Sequence, residues 1–119
     1  MPSTVLTPTL SPTRTAVRDV LVAAARAGAL LTYRDVIVGI DWPERTPGWY
    51  LRDPLDDIAK YELAAGRPPL TAIVVGKNSG IPGKGFWHDW ERITGGIPDR
   101  TEFLRNAQAS VFTYWRAQR

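Results

Sequence analysis

The chain contains no cysteine. That removes disulfides, thiolate zinc sites and cysteine nucleophiles together, and it suits a reducing cytoplasm, the expected compartment. It has one histidine, too few for a multi-histidine metal or nuclease centre. No lysine or arginine precedes Arg14 and no apolar segment follows the start, so no secretory leader is expected. No apolar run approaches the roughly 18 residues that span a bilayer, so no membrane partner is expected. An acidic excess is missing too: 15 Lys and Arg stand against 12 Asp and Glu, a net charge of +3. A mildly basic balance permits contact with nucleic acid or an acidic protein surface without demanding either.

What is present fits one globular unit. A chain of 119 residues is typical of a single domain. At that size about two-thirds of the unfolded surface is buried on folding, enough for one core without staples. Ten glycines and ten prolines point to several ordered turns. There is no internal repeat and no linker. Residues 1–10, rich in Thr and Pro, are expected to form an extended or disordered arm, with residues 11–119 as the domain.

Along the domain, Ser11 and Pro12 open a helix whose Val17, Val20, Leu21 and Ala24 recur at helical spacing and which Gly28 ends. Arg14, Arg18, Asp19 and Arg26 fall on its exposed face. Thr32 caps a second, short helix running to about Gly39, with Val36, Ile37 and Ile40 inward. The segment 41–53 is irregular and holds Trp42, Trp49 and Tyr50, which either pack on the body or mark a contact surface. A third helix is expected from the cap Asp53 and from Pro54 to Gly66, with Asp56 and Asp57 in its favourable first turn. A final helix begins around Pro98-Asp99 with Phe103, Leu104, Ala107, Val111 and Trp115 as its stripe.

The remaining stretch, Arg67 to Trp87, is the one most suggestive of function. Pro68-Pro69 lead into an apolar run, Leu70 to Val75, that reads as a buried strand. A glycine-rich loop carrying Lys77 and Lys84 follows and closes on Phe86-Trp87. A strand must pair, because its backbone groups need partners; Leu30-Leu31 and the arm around Val5 are available. His88 to Ile93 reads as a short helical turn. Helices followed by a small sheet with a loop at its tip match an α+β, winged helix-turn-helix-like fold, mostly helical with a small antiparallel sheet.

Two segments carry a family resemblance. Leu31-Thr32-Tyr33-Arg34-Asp35-Val36 resembles the opening of the DNA-binding domain in alkyltransferase-like proteins. Leu55 to Glu62, Pro68 to Val75 and Gly80-Ile81-Pro82-Gly83-Lys84-Gly85-Phe86 together resemble a small helical-wing domain of phage, mobile-element and restriction-type proteins. The resemblance spans about residues 31 to 87 and implies a nucleic-acid-associated role. It does not extend to chemistry. The Pro-Cys-His core of alkyl transfer is absent, and so is the Pro-x-His-Arg segment of the cysteine-free relatives.

The other chemistries fail on spacing. Lys77 to Phe86 does not meet the phosphate-loop pattern, because Asn78 stands where its first glycine belongs and Gly85 where its hydroxyl belongs. His88, Asp89 and Glu91 are the one acid–base cluster, and capping and surface solvation account for them. No catalysis and no cofactor are expected. The expected role is a non-enzymatic nucleic-acid-associated module, phage- or defence-related, binding through the wing. Arg45, Arg52, Arg67, Lys77, Asn78, Ser79, Lys84 and Trp87 are its candidate contacts. The alternative is a module that docks on a host or defence protein through tryptophans and arginines. One conflict stands: the third helix, in the recognition position, carries Asp56, Asp57 and Glu62 against Lys60, and an acidic helix repels phosphate.

Overall fold

In the computed structural model, which describes residues 9–118, Ser11 Oγ accepts a hydrogen bond from the Arg14 N–H at 3.2 Å and opens α1, Pro12–Ala27. The N-terminal arm thus lies almost wholly outside the described residues, and Leu10, at its end, packs on the core. Gly28 closes α1 at φ 71°, a left-handed position where glycine carries no Cβ penalty. Strand β1, Leu31–Thr32, follows, and Thr32 caps α2, Tyr33–Gly39. That cap is reciprocal: Thr32 Oγ1 accepts from the Asp35 N–H, and the Asp35 carboxylate accepts from the Thr32 N–H at 2.9 Å.

A 3-10 helix, Gly48–Leu51, runs directly into α3, Arg52–Ala64. The helix therefore starts ahead of Asp53, which is not its cap, and Pro54 sits inside the first turn where no N–H is needed. Asp56 and Asp57 consequently fall in the second turn, not the first. A second 3-10 helix, Leu70–Ile73, leads to β2, Val74–Val75. Helix α4 spans Lys84–Thr94 and α5 spans Arg100–Ala117, capped by Asp99, whose carboxylate accepts from the Glu102 N–H.

The core gathers on α1. Val17, Leu21, Val22 and Ala25 meet Val36 and Ile37 of α2, Ile58 of α3, Leu70 and Ile73, and Val111 and Trp115 of α5. A smaller cluster, Ala72, Trp87, Leu104 and Ala107, fixes α4 between the second 3-10 helix and α5. Gln108 Nε2 donates to the Ala72 carbonyl at 3.0 Å and ties α5 to the same turn.

Two expectations about the sheet are corrected. Leu70 to Val75 is buried throughout, but only Val74–Val75 is extended. A fully buried apolar run has no alternation to distinguish strand from tight helix, and here the Ala72 N–H closes a turn on the Pro69 carbonyl at 2.9 Å. The sheet is a two-stranded parallel pair, Leu31 opposite Val74 and Thr32 opposite Val75, so the antiparallel winged-helix arrangement is overturned. The reason is connectivity. Residues 33–73, with two α-helices, intervene between the strands, and such a crossover returns the chain in the same direction. No hairpin follows β2 either. The Gly76 N–H bonds the Ile81 carbonyl and the Gly80 N–H bonds the Gly76 carbonyl, both at 2.9 Å, and the tightened loop feeds into α4. The expected wing is the entry to a helix, and that helix is longer than the short turn the sequence suggests.

Candidate functional site

The loop from β2 into α4 forms one side of a groove whose other side is α3 and the turn before it. Gly48 of this turn lies against Tyr33; a Cβ there would make ordinary contact, 3.4 Å from the tyrosine Cβ. The 3-10 helix then turns Leu51 into the core and leaves Trp49 and Tyr50 outside. Their rings stack at 4.1 Å, and Trp49 is 68% exposed. Across the groove, Gly83 donates its N–H to Tyr33 Oη at 3.0 Å, and Trp87 Nε1 donates to the Pro82 carbonyl at 3.2 Å. These two bonds set where α4 begins.

The groove encloses about 550 Å³. Buried Thr71, Val74 and Pro82 form its floor, with Leu55 and Ala59 of α3 alongside. Tyr33, Trp49, Phe86 and Trp90 supply aromatic walls, and the exposed Arg52 and Lys84 stand at the rim. Phe86 and Trp90 are held by one another at 6.4 Å and by Phe103 of α5 at 6.4 and 6.0 Å. The first turn of α4 faces the groove with no side-chain cap on Gly83; the Phe86 N–H turns back to the Gly83 carbonyl at 3.2 Å, and the N–H groups of Lys84 and Gly85 have no partner among the described residues.

Asp56 of α3 and Asp89 of α4 line the same groove, with their carboxyls within hydrogen-bond reach. The hydrogen bond to Asp56, with burial second, raises Asp89 above the ordinary carboxylate range. The same bond, helped by Lys60 against the cost of burial, lowers Asp56. Lys60 Nζ lies 3.1 Å from Asp56 and Arg92 lies 3.3 Å from Asp89. Both cations face a smaller hollow of about 140 Å³ next to the groove, not the groove itself.

Two further acids of α3 are also neutralised. Asp57 pairs with Arg14. Glu62, fully buried, accepts from Arg18 Nε at 2.8 Å and Arg67 Nε at 2.7 Å. Burial alone would push the Glu62 carboxyl up, but the hydrogen bonds from Arg67 and Arg18 outweigh it and hold it below its usual value. Arg18, expected on the surface, is thus committed to a buried acid.

Of the sequence candidates, Arg52 and Lys84 meet at the groove. Lys77, Asn78 and Ser79 are exposed on the turn that precedes it, and Arg45 is exposed in the segment after α2. Arg67 is held by Glu62, and Trp87 is 5% exposed and packs from α4 onto Ala72, Leu104 and Ala107. The groove also uses residues that the sequence reading did not place in a site: Tyr33, Leu55, Thr71 and the Asp56–Asp89 pair. No sequence spacing links them, because four separate segments supply them. His88 is exposed and does not line the groove. Among the described residues no group of three or more His, Cys, Asp or Glu side chains is placed to hold a metal ion, and no helix is long and apolar enough to cross a membrane.

No protein family, curated protein or solved structure matches the chain. What the groove can hold therefore follows from its own side chains. It offers stacking surfaces, two rim cations, open helix N–H groups and an acid pair. The two acids line the same groove, and the hydrogen bond between their carboxyls moves their titration in opposite directions. Each also has its own cation.

Proposed function

We propose that the protein is a non-enzymatic, nucleic-acid-associated binding module whose contact face is the mouth of the aromatic groove. One observation carries the reading. Three of the four acids of α3 are neutralised by a partner, Asp56 by Lys60, Asp57 by Arg14, and Glu62 by Arg18 and Arg67, while Asp53 in the first turn has no ion-pair partner among the described residues. Arg52 and Lys84 likewise have no ion-pair partner among the described residues and line the groove together with exposed Trp49. The repulsion expected from an acidic α3 is thereby largely cancelled. Cations beside stacking aromatics are what a nucleic-acid strand requires. Lys77, Asn78 and Ser79, on the same loop as Lys84, extend the basic side. A cytoplasmic setting in phage, mobile elements or defence accords with the family resemblance.

Fluorescence anisotropy with labelled single-stranded and duplex oligonucleotides, over a range of salt, tests the proposal. The expected result is affinity that falls steeply with salt. Arg52→Ala with Lys84→Ala should flatten the slope by about one to two phosphate equivalents. Absence of binding to either form at low salt sinks it.

A second reading, docking of a protein segment, has its own support. Trp49 and Trp90 line one groove, and exposed Leu63 and Ile93 line the hollow beyond it. Aromatic anchors of this kind dominate protein interfaces. It predicts a partner whose affinity survives nuclease treatment and changes little with salt.

A further inference from the structure

We infer that the groove takes a single nucleoside phosphate unit: the base between its aromatic walls, the phosphate on Lys84, Arg52 and the open N-terminus of α4. This rests on the nucleic-acid reading and gives it a ligand geometry. The volume of about 550 Å³ fits one nucleotide-sized ligand and is too small for a duplex. Trp49, stacked on Tyr50, is 68% exposed, and Phe86 and Trp90, which line the same groove, are held by Phe103. Every base has a π-face, so such walls accept any of them.

The phosphate end is separately indicated. Helix α4 opens with two uncapped N–H groups, those of Lys84 and Gly85, and a lysine as its first residue. A Cβ built on Gly85 meets nothing within 4 Å, so there is room for a ligand over that first turn. Thr71, 6% exposed, lines the floor and brings a hydroxyl to it.

The acid pair adds a preference. Asp56 and Asp89 accept hydrogen bonds from exocyclic amino groups, which cytosine, adenine and guanine carry. Thymine and uracil present carbonyl oxygens on either side of their one N–H and meet the acids with like polarity. Lys60 and Arg92 face the adjoining hollow and do not reverse this.

The test titrates the full chain with labelled ten-residue single strands of deoxycytidine and of thymidine, with the cytidine strand carrying a central run of abasic sites, and with free CMP. Trp49→Ala is the variant, since an exposed ring is removed without touching the core. The expected result is a loss of about tenfold or more on either the abasic change or Trp49→Ala. The two losses should not add when combined, and thymidine should bind several-fold more weakly than cytidine. An abasic strand that binds as tightly as the intact one overturns base insertion while leaving the nucleic-acid module standing. Equal or tighter binding of thymidine overturns the role of the acids. Free CMP that saturates the groove when no strand binds supports the site and overturns the strand reading. No binding by strand or CMP overturns both.

Discussion

Tyr33 Oη accepts the Gly83 N–H at 3.0 Å and thereby joins the start of α2 to the start of α4. The approach is close enough that a Cβ on Gly83 would fall 2.7 Å from the same oxygen. Tyr33→Phe should cost about 1 kcal/mol, the usual worth of one part-buried hydrogen bond. Gly83→Ala should cost at least as much, since it displaces the tyrosine and breaks the same bond. The double variant is the sharper test. With no hydroxyl to meet, the alanine methyl fits more easily, so the two losses should sum to less than their separate values. Urea denaturation of the four proteins measures it, and strict additivity would show that the contact does not exist in solution.

Glu62 is the buried acid on which α1, α3 and the Arg67 segment converge. Glu62→Gln removes the charge and leaves two guanidiniums half-buried. Breaking a buried ion pair from one side costs about 3–5 kcal/mol, and the lower end applies because both arginines keep some water. The pH dependence has a definite sign. Because the folded Glu62 titrates below its ordinary 4.5, its contribution is complete above that value and is lost as pH falls through the lower folded value. The Gln variant should lack that part of the acid-induced loss. Unfolding measured at pH 7 and at pH 3 tests both statements. Arg67→Ala should cost less, since Arg18 still holds the acid.

Asp56 and Asp89 give the opposite kind of result. Asp89 is raised, so its share of stability is present at low pH and is lost as pH rises through its folded value; lowered Asp56 opposes this. Once Asp89 gives up its proton, two carboxylates face each other across α3 and α4. Asp89→Asn puts a permanent N–H donor where the shared proton sits. The variant should be as stable as the parent at pH 7 or slightly more so, by less than about 1 kcal/mol given how exposed the pair is. The difference should shrink as pH falls and Asp89 regains its proton. A clear loss at pH 7 would mean that the Arg92 pair matters more than the repulsion.

Helix boundaries were largely legible, because caps are local chemistry: Ser11 with Pro12, Thr32 and Gly28 act where the sequence places them, and the last helix starts next to Asp99. The start of α3 was not, since a preceding 3-10 helix feeds it and the attractive Asp53–Pro54 signal is already inside. The Leu70–Val75 run misled for a related reason: burial on all sides erases the period that separates strand from helix. Strand direction was also hidden, because two-residue strands carry no alternation and only the helical crossover decides it. Of the site, the cations at positions 52 and 84 were readable. Thr71 and the acid pair became visible only when α3, α4 and the second 3-10 helix were brought together.

Trp49 and Trp87 separate packing from function. Trp49 is 68% exposed and rests on Tyr50, whereas Trp87 is 5% exposed, bonds the Pro82 carbonyl and lies under Arg100 at 4.9 Å. Trp87→Ala should cost about 3–5 kcal/mol through the cavity and the lost bond, and it should loosen α4 along with it. Trp49→Ala should stay within about 0.5 kcal/mol of the parent, as surface changes do. Thermal melts followed by far-UV circular dichroism rank the two. A large loss at Trp49 would reassign the stacked Trp49–Tyr50 pair to the core, and the groove would lose the exposed wall on which ligand binding depends.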